Sequence, residues 1–336
     1  MIWNDSEQDL RTAAEQLRQG NLVAIPTETV YGLGANALDE AAVASIFRAK
    51  GRPADNPLIV HIADLKDIET YAYPNQWAYR LAERFWPGPL TMILPKKKMI
   101  PSIVSAGLES VALRFPAHPI AQKLIRYANC PIAAPSANVS GKPSGTTAQH
   151  VLHDFEDRIS GVVDGGPCAC GLESTVVSLL DDNPVLLRPG FITPQQLREV
   201  LPSLLIARGV EEELQKNEVV LSPGLAHKHY APNAETIGLL GDAESAARYI
   251  KSQCITEPYA VMCFDGEEHF YDTSVILSYG RRGDARAQGE KLFETLRVLD
   301  DKQVKRIYIN AEKCDGIGLA VYNRLLRSCG FQMIRV

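Results

Sequence analysis

The sequence predicts an α/β protein of two domains joined by a linker, and three observations carry that reading. At 336 residues the chain is about two domains long, at ~150 residues each. Short apolar runs alternate with stretches of helical periodicity along most of its length. From Leu201 the pattern loosens into charged and Pro/Gly-broken sequence, and regular alternation returns at Glu235. The expected boundaries are a first domain over 1–205, a linker over 206–234 and a second domain over 235–336.

Taken in order, Ser6 to Gly20 reads as an opening helix, with Leu10, Ala13, Ala14 and Leu17 on one face. The run Leu22–Ile25, closed by Pro26, is a buried strand. A polar loop follows, holding Thr27, Glu28, Thr29 and Tyr31. Asp39 then caps a helix whose Val43, Ile46 and Phe47 recur at helical spacing. Gly51 and Pro53 stop it, so Lys50 and Arg52 stand at its exit, with Asn56 and His61 just beyond. Gly32 to Ala37 matches a dinucleotide-binding fingerprint in letters only. That fingerprint needs its first glycine directly after the strand, and six residues, Pro26 to Tyr31, intervene.

Leu58–Ile62 is a second strand, in which His61 by default is a core histidine. Asn75–Phe85 is a helix, Leu90–Leu94 a strand, and Lys96 to Lys98 a solvated turn. Val111–Phe115 is a strand that carries Arg114, either an exposed charge or the partner of a carboxylate or phosphate. His118–Tyr127 is a helix and Pro131–Ala134 a short strand. The turn-rich loop from Pro135 to Gly145 is either an ordinary surface loop or a cradle for an anion. It is not a Walker loop, because Pro143 follows Gly141-Lys142. Thr175–Leu180 and Val185–Leu187 form a hairpin; Ser174 opens its first strand and Arg188 ends its second, so both can face one pocket. Thr193 caps a helix running to about Val200.

Past the linker, strands at Thr236–Leu240, Tyr259–Phe264, Val275–Ser278 and Arg306–Asn310 alternate with three helices. This predicts a small open α/β sheet. Arg281 to Asp284 reads as a solvated turn, and nothing marks a second active site.

The chain has 46% hydrophobic and 22% charged residues and a net charge of -5. That balance is ordinary for a globular protein and argues against a broad nucleic-acid-binding surface. Seven cysteines, an odd number, give no disulfide framework. Neither Cys168-x-Cys170 nor the pair His227 and His229 has further ligands at metal-binding spacing, so no metal site is expected. The N-terminal stretch lacks a signal-peptide pattern and no apolar run approaches a membrane span, so the expected location is the cytoplasm, with no membrane.

Five segments in order carry a family resemblance. They are PTETVYGLG with KGRPADNPLIVH (Pro26–Gly34 and Lys50–His61), SVALRFP (Ser110–Pro116), APSAN (Ala134–Asn138), ESTV (Glu173–Val176) and LRPG (Leu187–Gly190). Together they resemble the threonylcarbamoyl-AMP synthase family, in its long form. The resemblance implies a YrdC-like twisted mixed sheet followed by a linker and a small Rossmann-like domain. It implies synthesis of threonylcarbamoyl-adenylate and pyrophosphate from L-threonine, bicarbonate and ATP with Mg2+, for threonylcarbamoyladenosine in tRNA. It further implies that Lys50, Arg52, Asn56, Ser110, Ser136, Ser144 and Arg188 hold ATP, with Lys50 and Arg52 catalytic and Tyr230 on a lid over the nucleotide. Thr29, His61, Arg114, Ala134 and Ser174 hold threonine, with Arg114 on the carboxylate and Ala134 acting through its backbone. Thr29 and Tyr31 line the substrate's methyl and hydroxyl. The implied partners are a downstream tRNA threonylcarbamoyl-transferase complex and a weak tRNA contact. Two other readings stay open: a non-catalytic RNA- or nucleotide-binding module, and carbamoyl transfer from carbamoyl phosphate.

Overall fold

The computed structural model describes residues 1–212 and 230–336. The linker histidines His227 and His229, and most of the expected lid, lie outside the described residues. The chain divides into two compact units. The first holds Met1–Ser140 and Ser144–Val210, and the second holds most of the remainder.

The first unit is built on an eleven-stranded mixed sheet. In order across it run Ile2–Trp3, Gly161–Val163, Val23–Ile25, Gly32–Asn36, Ile132–Ala133, Ile59–His61, Ser110–Arg114, Leu90–Pro95, Thr175–Ser178, Val185–Arg188 and Leu205–Ile206. The last of these pairs parallel with Val185 and Leu186, so the unit continues past 205, where the linker was expected to begin. Its opening helix, Glu7–Arg18, starts at the Ser6 cap and buries Leu10, Ala13, Ala14 and Leu17, the face read from the periodicity. Helix Glu40–Lys50 is capped by the Asp39 carboxylate and ends at Gly51, whose left-handed φ of 61° closes the helix.

The strand Gly32–Asn36 is among those that escaped the sequence reading. Gly32–Asn36 pairs antiparallel with Val23–Ile25. Glycine is a poor strand former, yet a Cβ on Gly34 would lie 2.9 Å from the Val23 carbonyl oxygen and 3.0 Å from an Ile132 methyl. Its glycines thus serve close strand packing rather than a pyrophosphate loop. Helix Ala148–Phe155, capped by Thr147, was likewise not expected.

Alternation along the central strands sorts the two faces. Val60, Met92, Leu94, Leu113 and Val177 enter the large core beneath the helices. On the other face Ile59, Ile93, Ala112, Val176 and Leu187 make a core of five buried side chains among the described residues. That thin face carries on into polar residues.

The second unit is a five-stranded, wholly parallel sheet in the order Ile276–Ser278, Tyr259–Cys263, Arg306–Ala311, Glu235–Leu240, Met333–Arg335. Helices Ala243–Ser252, Ala285–Asp301 and Ile317–Ser328 connect its strands. The expected four strands and three helices are present, and a fifth strand, Met333–Arg335, follows the last helix. Arg281 to Asp284 is the exposed turn that was expected, and within it Arg282 pairs with Glu267 at 2.7 Å and lies over the Phe264 ring. Among the described residues no helix is long and apolar enough to cross a membrane.

Candidate active site

Strand register assembles a polar row on the thin face. His61 is in register with Arg114, Arg114 with Thr91, and Thr91 with Val176; a register shift between Leu186 and Arg188 then sets Arg188, beside Leu187, opposite Val176. In-register neighbours point to the same side of a sheet. Four polar side chains from four strands thus line up, although they are separated by up to 127 positions in the chain.

Arg114 is the centre of the row and is 4% exposed. Its Nη1 donates to Thr29 Oγ1 at 2.7 Å, and its Nη2 lies 2.8 Å from Glu28 Oε1. That second contact is an ion pair without hydrogen-bond geometry. Neither Glu28 oxygen, nor Nε or Nη2 of Arg114, has a hydrogen-bond partner among the described residues. Thr27 Oγ1 bonds to Thr29 Oγ1 at 2.9 Å and to the Val30 carbonyl at 2.5 Å, which fixes the loop. Beside Arg114, burial first and the guanidinium charge second push His61 down to about 3. The imidazole is therefore neutral at physiological pH, and its Nδ1 has no partner among the described residues.

At the other end of the row, Arg188 is 5% exposed and Ser174 fully buried. Arg188 donates from Nε to the Ser174 carbonyl at 3.0 Å and from Nη2 to Ser174 Oγ at 3.1 Å. Ser174 Oγ in turn meets Thr91 Oγ1 at 2.8 Å. The hairpin reading of Ser174 and Arg188 as neighbours is met by these contacts. Gly190 permits the arrangement, since a Cβ there would stand 2.5 Å from the Thr175 nitrogen and 2.9 Å from the Glu173 carbonyl.

A second group of residues gathers around the Pro135–Gly145 loop. Lys50 ends its helix as expected but is only 2% exposed, and its Nζ donates to the carbonyls of Ser136 and Asn138, each at 2.5 Å. Ser144 Oγ donates to Glu173 Oε1 at 2.5 Å. These bonds tie the loop to the end of helix Glu40–Lys50 and to Glu173. Arg52 Nη2 reaches the Asn56 carbonyl at 3.3 Å, and Asn56 Oδ1 has no partner among the described residues. Ala134 is buried, with its N–H on the Ile59 carbonyl at 2.9 Å. Ser110 begins the strand that Arg114 ends, on the same face and about 13 Å away at strand rise.

Buried cations, neutral hydroxyls and an uncharged imidazole on one sheet face suit a small anionic ligand, and comparison with known proteins agrees. A family profile described as "Telomere recombination" matches residues 15–190, and one described as "Threonylcarbamoyl-AMP synthase, C-terminal domain" matches residues 192–330. A threonylcarbamoyl-AMP synthase of Bacillus subtilis is 45% identical over 98% of this chain and 95% of its own. This chain belongs to the threonylcarbamoyl-AMP synthase family. The synthase of Pyrococcus abyssi is 44% identical over 98% of this chain and 96% of its own. The solved structure of P. abyssi Sua5 complexed with L-threonine superimposes with a TM-score of 0.93 at 42% identity, covering 100% of this chain and 99% of that one. The mixed sheet followed by a second α/β unit is thus the long-form synthase fold, and the chain is an enzyme of that family.

Within the synthase fold, one expected residue, Tyr31, sits differently from its reading. Tyr31 is fully buried, and its hydroxyl donates to the Gly166 carbonyl at 2.8 Å while accepting from the Gly165 N–H at 3.1 Å. That hydroxyl braces a turn, so it is not available to line a ligand's methyl and hydroxyl. Tyr230 is buried in the second unit, its ring centroid 5.1 Å from that of Phe293. Thr91 was missed. It sits inside an unbroken apolar strand, where no alternation shows which polar residue shares a face with Arg114. Glu28 was noted only as part of the polar loop, and its contact with Arg114 spans 86 positions. Among the described residues no group of three or more His, Cys, Asp or Glu side chains is placed to hold a metal ion.

Proposed function

We propose that this enzyme condenses L-threonine, bicarbonate and ATP into threonylcarbamoyl-AMP and pyrophosphate at the polar face of its first unit. The observation that carries the reading is the buried Arg114, anchored through Nη1 by Thr29 and presenting its Nε/Nη2 edge beside neutral His61. A guanidinium edge of that kind matches a carboxylate bidentately. In this reading Thr29, His61, Arg114, Ala134 and Ser174 hold threonine. Lys50, Arg52, Asn56, Ser110, Ser136, Ser144 and Arg188 hold ATP. Magnesium enters with the triphosphate, as part of the nucleotide substrate.

The chemistry needs no covalent enzyme nucleophile. Threonine's nitrogen takes up the carbon of bicarbonate with loss of water, giving a carbamate. A carbamate oxygen then attacks the α-phosphorus of ATP, and the bond to the β-phosphate oxygen breaks to release pyrophosphate. The protein's part is positioning and charge: Lys50, Arg52 and Arg188 offset the anionic phosphates, and the neutral imidazole of His61 adds a hydrogen-bonding group without adding charge. The product passes in the cytoplasm to a separate transferase complex that modifies tRNA, with at most a weak tRNA contact of its own.

The test is pyrophosphate release with MgATP and bicarbonate, comparing L-threonine with L-serine and with no amino acid. Release that requires both threonine and bicarbonate, and its loss in a folded Arg52→Ala variant, is the expected result. Tight tRNA binding with no release would overturn the reading in favour of a non-catalytic RNA-binding module.

A further inference from the structure

We propose that Glu28 is the residue that recognises the α-ammonium group of the amino-acid substrate, an assignment that rests on the reading of Arg114 given above. The Glu28 side chain is 12% exposed and lies 2.8 Å from Arg114. A carboxylate present only to neutralise Arg114 would accept hydrogen bonds from the guanidinium fork. Here neither oxygen accepts one from any described residue. Burying a carboxylate without donors is costly, so such oxygens call for a donor from outside the chain. The residue is also held in place: its carbonyl accepts the Cys170 N–H at 2.7 Å.

The geometry around Arg114 says which donor. Thr29 occupies Nη1, and the Nε and Nη2 atoms have no hydrogen-bond partner among the described residues. That edge receives a carboxylate, and Glu28 stands directly against its Nη2 end. An α-amino acid carries its ammonium one carbon away from its carboxylate. Laid on the Arg114–Glu28 pair, the zwitterion places each charge against its opposite, so one rigid pair reads both ends of the substrate. The neighbouring titratable groups do not compete for the role, because burial lowers His118 and raises the Cys168 thiol, which leaves both neutral. The class of ligand selected is an α-amino acid with a free amine, as opposed to a 2-hydroxy acid of the same shape.

The experiment is calorimetric titration of the full-length protein with L-threonine and with the matched 2,3-dihydroxybutanoate, whose hydroxyl replaces the amine. Wild type is expected to prefer threonine by at least about tenfold, the scale of a charge-assisted hydrogen bond. Glu28→Gln is expected to lose about ten- to hundredfold in threonine affinity while binding the hydroxy acid as well as before. Glu28→Asp, which keeps the charge, should retain the preference. Equal binding of the two ligands by wild type overturns the proposal without any variant. Equal loss of both ligands in folded Glu28→Gln overturns it too, by marking Glu28 as structural. If wild type binds neither ligand, the Arg114 reading and this proposal fall together. Selective threonine binding without threonine-dependent pyrophosphate release would refute the synthesis reading alone.

Discussion

Lowering the pH from 7 to 5 tests whether burial holds His61 neutral. The folded protein depresses this imidazole from its ordinary 6.5 to about 3. At pH 7 the folded state binds no proton and only about a quarter of unfolded chains do, so His61 contributes little pH dependence there. As the pH falls through 6.5 the unfolded chain takes up a proton that the native state refuses, so stability drops on the acid side. The slope is about 1.4 kcal/mol per pH unit down to the folded value, which amounts to about 2 kcal/mol at pH 5. Urea unfolding followed by tryptophan fluorescence reads the effect in the right place, because Trp3, Trp77 and Trp86 all lie in the first unit. Comparison with His61→Gln removes the contribution of every carboxylate common to both proteins. The wild type should lose about 2 kcal/mol more than the variant between pH 7 and pH 5. Parallel losses in the two proteins would refute the claim that His61 is neutral because it is buried beside Arg114.

Three further outcomes follow from particular contacts. Lys50→Met takes the ammonium from the Ser136 and Asn138 carbonyls; it should lower stability by about 1–3 kcal/mol in urea titration and abolish threonine-dependent pyrophosphate release. Gly190→Ala drives a methyl into the Thr175 and Glu173 backbone, and a loss of about 1–3 kcal/mol is expected by the same titration. Ala at Gly51, where nothing lies within 4 Å, should cost no steric clash and only the strain of its left-handed φ, so its smaller loss serves as the control. Thr193→Ala breaks a capping box whose two halves are both formed, and about 1 kcal/mol should be lost with pyrophosphate release unchanged.

Much of the fold was legible because its signals are local. The Ser6, Asp39, Asn75 and Thr193 caps and the Gly51 stop all mark helix ends in the structure, since a cap acts on backbone groups two or three residues away. The Thr175–Arg188 hairpin was legible for the same reason. The strand at Gly32–Asn36 was not, because glycine carries no strand propensity and its value lies in what it lets come close: the Val23 backbone and Ile132. Met333–Arg335 was passed over because a three-residue strand at the chain end leaves no period to read.

The candidate site divides along the same line. Sequence by itself determined the family, because the five motif segments and their order identify it, and it offered Lys50, Arg52, Arg114 and Arg188 as candidates for the site. Only the tertiary structure decided what each group does there. It buried Lys50 at the helix exit against two loop carbonyls, spent the Tyr31 hydroxyl on a turn, and aligned His61, Arg114, Thr91 and Arg188 in one row. It also set Glu28 against Arg114 with its oxygens unsatisfied. Composition and spacing report which groups are present and how far apart they lie along the chain. Burial, register and hydrogen-bond satisfaction depend on contacts between distant segments, and those exist only once the sheet has closed over them.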